Sequence, residues 1–192
     1  NNFVGLNLFY KKMDRFISPA ISQEMFGDYT LHINSVQNQE RAHIYGAEIA
    51  LIHYFSEGIG AQFNHTWVQS SAGFNEQKDF AIEGLSPRSL NFVGFIERPK
   101  YALRISYNWR DDYLQERFNA QSQPQHSLAY GQWDFSSQWH LSDHAHISFD
   151  VQNLTNERQH YYSIYPARVI SAEHIGRVFS LGLTVQTSLS GN

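Results

Sequence analysis

The 192-residue sequence contains no cysteine, which removes disulfides, thiolate metal sites and cysteine nucleophiles together. Charge is scarce as well: Asp, Glu, Lys and Arg make up 17% of residues, and 18 acidic against 14 basic side chains leave a net charge of −4. With no basic cluster, nucleic acid is not an expected partner. No apolar run approaches the ~20 residues a membrane helix needs. Mean hydropathy is −0.46, a value that suits a soluble protein but also a β-barrel, whose polar lumen residues cancel its lipid-facing ones. The chain begins Asn1-Asn2-Phe3-Val4, with neither an initiator methionine nor a signal peptide, so the expectation is a processed chain or a fragment.

Aromatic residues, by contrast, reach 15%, with 11 Tyr and 14 Phe. Along much of the chain the apolar and polar residues alternate. Trp133, Phe135, Trp139 and Leu141 fall on one face of a strand whose other face carries Gln132, Asp134, Ser136, Gln138 and His140. After the turn Leu141-Ser142-Asp143-His144, Ala145, Ile147, Phe149 and Val151 oppose His146, Ser148, Asp150 and Gln152. Phe179, Leu181, Leu183 and Val185 repeat the pattern against Ser180, Gly182 and Thr184. Period two means strands, and strands joined in sequence make an antiparallel meander.

The same reading gives a first strand from Val4 to about Ile17, ended by Pro19 and followed by a loop to about Asp28. A long extended stretch from Tyr29 to Phe55 exceeds one membrane crossing, so its first half is expected to project beyond a bilayer. Ser56-Glu57-Gly58 is a tight turn. A strand from Ile59 to about Trp67 then fades into a polar loop from Ser70 to about Ser86. Ser89 to Glu97 is apolar on both faces. Past the turn Glu97-Arg98-Pro99-Lys100, Tyr101, Leu103, Ile105, Tyr107 and Trp109 oppose Ala102, Arg104, Ser106, Asn108 and Arg110. Residues 111–127 and 161–174 read as further long loops.

Short turns therefore alternate with long loops, and the strands exceed the five or six residues usual in soluble sheets. Tyr101 to Trp109 spans about 20 Å of height at a tilt near 40°, close to the apolar band of an outer membrane. These features favour a transmembrane barrel over a β-sandwich or a soluble ligand barrel. The apolar face then meets lipid and the polar face a wet lumen. About eight strands are expected, enough to close a narrow barrel or to form one arc of a larger one.

Four segments resemble the C-terminal barrel region of TonB-dependent outer-membrane receptors, in the family's order. They are Ala42-His43-Ile44-Tyr45-Gly46-Ala47-Glu48, Arg104 to Leu114, Val151-Gln152-Asn153-Leu154-Thr155-Asn156-Glu157 and Gly176 to Leu183. The Asn-Trp-Arg form resembles a proteobacterial branch linked to oligosaccharide uptake. The resemblance implies a barrel of about 22 strands, of which residues 1–192 form about the last third. It further implies a plug domain in the lumen, energy delivered through TonB, and residence in the outer membrane of a Gram-negative bacterium. The plug and the TonB-contacting box, N-terminal in the family, lie outside this sequence. The chain ends Gln186-Thr187-Ser188-Leu189-Ser190-Gly191-Asn192 and lacks the family's terminal aromatic. Open strand edges are not tolerated in a bilayer, so the rest of the barrel is an expected partner.

On this reading, Tyr161, Tyr162, Tyr165 and Arg168 in an external loop are candidate ligand contacts, since aromatic faces beside Arg, Asn and Gln suit sugars or aromatic chelates. Their other reading is an interfacial tyrosine girdle. Arg110, Asp111, Asp112 and Tyr113 top a strand, where they line the mouth or form salt bridges with one another. Glu48, Arg104, Asp134, Asp150 and Arg177 are expected to face the lumen and a plug, or to pair among themselves.

No cofactor is expected. His140, His144 and His146 lack metal-site spacing. His53 and His65 fall on the lipid face. Ser142-Asp143-His144 cannot adopt triad geometry as turn neighbours. The leading function is thus part of an active transporter, not an enzyme. Its ligand is an oligosaccharide first, or alternatively a ferric siderophore or haem. A small closed barrel with a hydrolase or structural role is the alternative of another class.

Overall fold

A computed structural model describes residues 2–74, 77–118 and 123–186. Its strands are β1 (Phe3–Phe26), β2 (Tyr29–Ser56), β3 (Ile59–Phe74), β4 (Gln77–Phe80), β5 (Arg88–Arg98), β6 (Tyr101–Arg110), β7 (Tyr113–Glu116), β8 (Gln125–Ser127), β9 (Tyr130–Ser142), β10 (Ala145–Gln152), β11 (Gln159–Tyr162), β12 (Val169–Glu173) and β13 (Val178–Val185). The described residues contain no helix. Eight strands follow one another through a single sheet in the order β1-β2-β3-β5-β6-β9-β10-β13, with β4 appended to β3. All their pairings are antiparallel, so the meander expected from the alternation is the main sheet. β1 and β13 do not pair, and the sheet is an open arc.

Two-residue turns at 57–58, 99–100 and 143–144 close the hairpins at one end, while the connections 75–87, 111–129 and 153–177 lie at the other. The register carries the sequence alternation from strand to strand. Phe63, Phe92, Tyr107 and Trp133 pair in one row, and Asn64, Asn91, Asn108 and Gln132 in the next. Successive rows therefore belong to opposite faces, one apolar and one polar.

The apolar face is not a core. Val4 is 76% exposed and Leu181 79%, while Ile105 and Phe149, in central strands, keep 38% and 37% of their surface. A sandwich would hide these residues between two sheets. Aromatic pairs mark two levels of this face. Tyr101 stacks on Trp139 near the short turns, and Tyr107 stacks on Trp133 while Tyr45 meets Trp67 edge-on toward the long connections. Between them stand Leu103, Ile105 and Phe149, and this stretch of the face carries no Asp, Glu, Lys or Arg; Arg98 and Arg88 lie level with the belts, opposite Tyr101 and Trp67. Two belts flanking a charge-free apolar band are the signature of a bilayer-facing wall.

Two glycines are needed for close approach. A Cβ on Gly46 would lie 2.2 Å from the Trp67 carbonyl oxygen and 2.7 Å from the Phe9 ring. Phe9 sits directly opposite Gly46 and covers it, as Phe95 covers Gly60. An aromatic ring over a glycine replaces the missing side chain and pins the register. This also explains why Ser89–Glu97 is apolar on both faces: Phe95 points to the polar side to cover Gly60.

Four expected loops carry strand instead: the one after Pro19, the one from Ser70, where β3 runs on to Phe74 and β4 follows, and those at 111–127 and 161–174. β1 does not stop at Pro19 but continues to Phe26 and turns directly into β2, with Pro19 opposite Val36. β1 is an edge strand among the described residues, where a missing N–H is tolerated. As expected for a stretch longer than one crossing, β2 meets β3 among the described residues only from Arg41 onward, and the hairpin's distal part projects with Met25, Phe26, Tyr29 and Val36 exposed. The expected loops 111–127 and 161–174 contain β7, β8, β11 and β12, which join in a second sheet ordered β12-β11-β8-β7. The chain end at 187–192 lies outside the described residues.

Candidate functional site

The polar face is the hollow side of the arc. One depression of about 410 Å³ is lined by Asn64, Thr66, Asn91, Asn108, Arg110 and Gln132. Another, of about 330 Å³ and nearer the short turns, is lined by Glu97, Arg104, Ser136, Gln138, Ser148 and Asp150. Uncharged amides thus predominate at the end near the long connections, with Arg110 at their border, and charges at the other end. Asn91 Nδ2 donates to Asn108 Oδ1, Tyr130 Oη to Gln132 Oε1 at 2.8 Å, and Gln132 Nε2 to Asp134 Oδ1 at 2.6 Å.

Glu48, Arg104, Asp134 and Asp150 all sit in polar rows of the register. Arg104 lies 3.8 Å from Glu97. Asp134 Oδ1 accepts both Gln132 Nε2 and the Asn153 N–H, the latter at 2.8 Å. Arg177 is elsewhere: it precedes β13 at the opposite parity, and its Nε donates to the Leu154 carbonyl at 2.8 Å.

The loop candidates separate into two groups. Tyr165 and Arg168 line a hollow of about 260 Å³ with Gln123, Ser163, Ile164 and Ile170. The Arg168 guanidinium has no partner among the described residues. Tyr161 and Tyr162 are instead only 7% exposed. Their reading as ligand contacts is corrected, because β11 holds them in the seam between two loops. Burial, followed by the hydrogen bond to Asp112, pushes the Tyr162 phenol up to about 12. Burial and Glu173 raise Tyr161.

Arg110, Asp111, Asp112 and Tyr113 do not pair as salt bridges with one another. The Arg110 guanidinium lies 4.6 Å from the Tyr113 ring centroid and donates to the Gly84 carbonyl at 3.1 Å. Asp111 takes Arg88 Nε at 2.6 Å, and Asp112 takes the Tyr162 hydroxyl at 2.9 Å. Arg88 does not stand out in the sequence, and Asn153 does so only within the Val151–Glu157 segment. Asn153 is 5% exposed with a φ of 54°, a left-handed conformation that Asn tolerates better than most residues. Its Nδ2 donates to the Glu157 and Gly176 carbonyls at 3.0 and 3.2 Å, and its Oδ1 accepts the Glu157 N–H at 2.7 Å. One side chain therefore ties both ends of the 153–177 connection.

The histidines are dispersed. His140 and His146 face each other across β9 and β10 with centroids 5.9 Å apart, and His144 is in the turn. No group of three or more His, Asp or Glu among the described residues could hold a metal. His53 lies beside Phe55 on the apolar face, and His65 Nδ1 on that face is buried without a partner.

An open antiparallel arc with an outward apolar face, a polar hollow side and interlocked loops at one end is a barrel wall, and its sequence agrees. The family model for TonB-dependent receptor-like β-barrels matches residues 1–154. This chain belongs to the TonB-dependent receptor β-barrel family. Among solved structures, this receptor segment is similar to the ferric enterobactin receptor of Pseudomonas aeruginosa, at 17% identity and a TM-score of 0.64, covering 95% of this chain and 28% of that one. It is also similar to the siderophore receptor PirA of Acinetobacter baumannii, at 14% identity and a TM-score of 0.64, covering 96% of this chain and 29% of that one. At these identities the likeness shows the fold alone. Comparison with curated proteins finds no match. The described arc thus spans between a quarter and a third of the receptors it resembles, as an arc with two unpaired edges should.

Proposed function

We propose that the complete protein is an active importer in a Gram-negative outer membrane and that this chain supplies part of its wall and mouth. The rest of the barrel pairs with the edges of β1 and β13, because a bilayer offers no water to satisfy unpaired backbone groups. A plug domain faces Glu48, Arg104, Asp134 and Asp150, and TonB supplies the energy. No covalent bond in the ligand changes.

The ligand class proposed is an oligosaccharide. The observation that supports it is the in-register row Asn64, Asn91, Asn108 and Gln132, flanked by Thr66, Ser89 and Tyr130 around one depression. Uncharged groups that both donate and accept match sugar hydroxyls without requiring a ligand charge. Anionic chelates find less there, although Arg110 borders the same depression.

A ferric siderophore is the second reading, favoured by the unpartnered Arg168 beside Tyr165, which suits an anionic aromatic group. Equilibrium binding of the complete receptor to a panel of both classes decides between them. The oligosaccharide reading expects saturable sugar binding that Gln132→Ala weakens. Tight binding of an iron chelate with no sugar bound would reverse the order.

A further inference from the structure

We propose that Asp112 is a positioning residue that sets the Tyr165–Arg168 hollow by holding Tyr162, an inference that rests on reading this hollow as a ligand site. Asp111 and Asp112 are adjacent in sequence but serve different connections. Asp111 binds Arg88, the first residue of β5, while Asp112 Oδ1 accepts the hydroxyl of Tyr162 in β11, fifty residues on. The imidazole of His126 in β8 stacks on the Tyr162 ring, with centroids 4.9 Å apart and planes 13° apart. Its Nδ1 is 4.0 Å from the same Asp112 oxygen. Residues from two other segments thus converge on the Asp112 carboxylate.

The backbone alone holds this junction weakly. β8 and β11 share two residue pairs, Tyr161 with Ser127 and Tyr162 with His126, and just beyond them one backbone bond, from the Leu128 N–H to the His160 carbonyl at 2.9 Å. So short a ladder has little stability of its own, and side chains must fix its register. Gln159 Nε2 does part of this by donating to Ser127 Oγ at 2.7 Å. Gln159 Nε2 also reaches the Leu128 carbonyl at 3.0 Å, and the bond from Tyr162 to the Asp112 carboxylate adds a charge-assisted tie, the stronger kind of hydrogen bond. Tyr162 immediately precedes Ser163, whose Oγ donates to Gln123 Oε1 at 3.2 Å on the hollow's wall. Tyr165 and Arg168 follow within six residues of Tyr162. At 7% exposure Tyr162 does not itself meet a ligand, so Asp112 acts by placing the residues that do.

The test uses the complete receptor in membranes, with spin labels at Glu116 in β7 and Ser171 in β12, at opposite edges of the second sheet and separated across the strands by three spacings, about 14 Å. Asp112→Asn and Tyr162→Phe are each expected to broaden the label distance. Half-saturation for the bound panel ligand should weaken about tenfold, the factor that corresponds to about 1.4 kcal/mol, with the uptake maximum retained. The double variant should be no worse than either single, and Asp112→Glu should recover part of the loss. An unchanged distance, or single penalties that sum in the double variant, overturns the proposal. A broadened distance with unchanged half-saturation overturns it too. The label arm needs no ligand, so failure to find any ligand would sink the import reading while the interlock is still judged by distance.

Discussion

Ile105→Arg is expected to lower the stability of the bilayer-embedded receptor by about 2–4 kcal/mol, and Ser106→Arg, one residue further along β6, to leave it within about 0.5 kcal/mol. Ile105 stands on the apolar face between the Tyr101–Trp139 and Tyr107–Trp133 stacks, where a guanidinium has neither water nor a counter-charge. Ser106 faces the hollow side directly opposite Asp134 across β9, so an arginine there gains a carboxylate and keeps its hydration. Reversible unfolding in lipid vesicles measures both. The contrast between neighbours matters more than either value, since a packed interior would penalise both substitutions and a doubly solvated sheet neither.

Gly46→Val is expected to be the most damaging change on the polar face, costing about 1–3 kcal/mol as overpacking does in tight interiors. Its new Cβ would collide with the Trp67 carbonyl oxygen, a backbone atom that cannot rotate away, and with the Phe9 ring. β2 would have to separate from β3. Gly94→Ala is the control: its Cβ would come no closer than 3.5 Å to any neighbour, at Ile105 Cγ2, and the lost chain entropy of glycine makes a small gain in stability the expected result. The same unfolding midpoints report both. Gly46 is the glycine of the Ala42–Glu48 segment that marked the family resemblance. The motif therefore has a mechanical basis: Ala42 is fully buried, and Gly46 admits both a ring and a neighbouring strand.

The wall was legible in the sequence because a strand's side chains alternate strictly between two faces. Tyr101 to Arg110 could be assigned residue by residue, and the pairings of β6 with β5 and β9 agree with that assignment. Pro19 misled because proline usually ends a strand; that β1 lies at an edge is a property of the whole sheet, invisible locally. The second sheet was illegible for a related reason. Tyr161 and Tyr162 meet Ser127 and His126 more than thirty residues away, and strands of three or four residues carry too few side chains to show a period.

The long connections were half legible. Tyr165 and Arg168 belong to one hollow because they lie on a short turn in which the Arg168 N–H donates to the Tyr165 carbonyl at 2.9 Å. Arg110 to Tyr113 were recognised as charged and aromatic residues topping a strand, yet their partners lie on other connections. Asn153 had a local signal, an asparagine just past the end of a strand in a turn-forming context, and its left-handed φ gives that signal a reason.

Wall and importer alike require that the apolar face of the sheet meet lipid. Single cysteines placed in turn from Tyr101 to Arg110 of the complete receptor, in intact membranes, and probed with a water-soluble thiol reagent test this directly, because this segment contributes no native cysteine to the background. The result expected is alternation: labelling at 102, 104, 106 and 108 through the watery lumen, with 103, 105 and 107 protected by hydrocarbon. Equal labelling of both sets, or protection of the even positions with reaction at the odd ones, would contradict it.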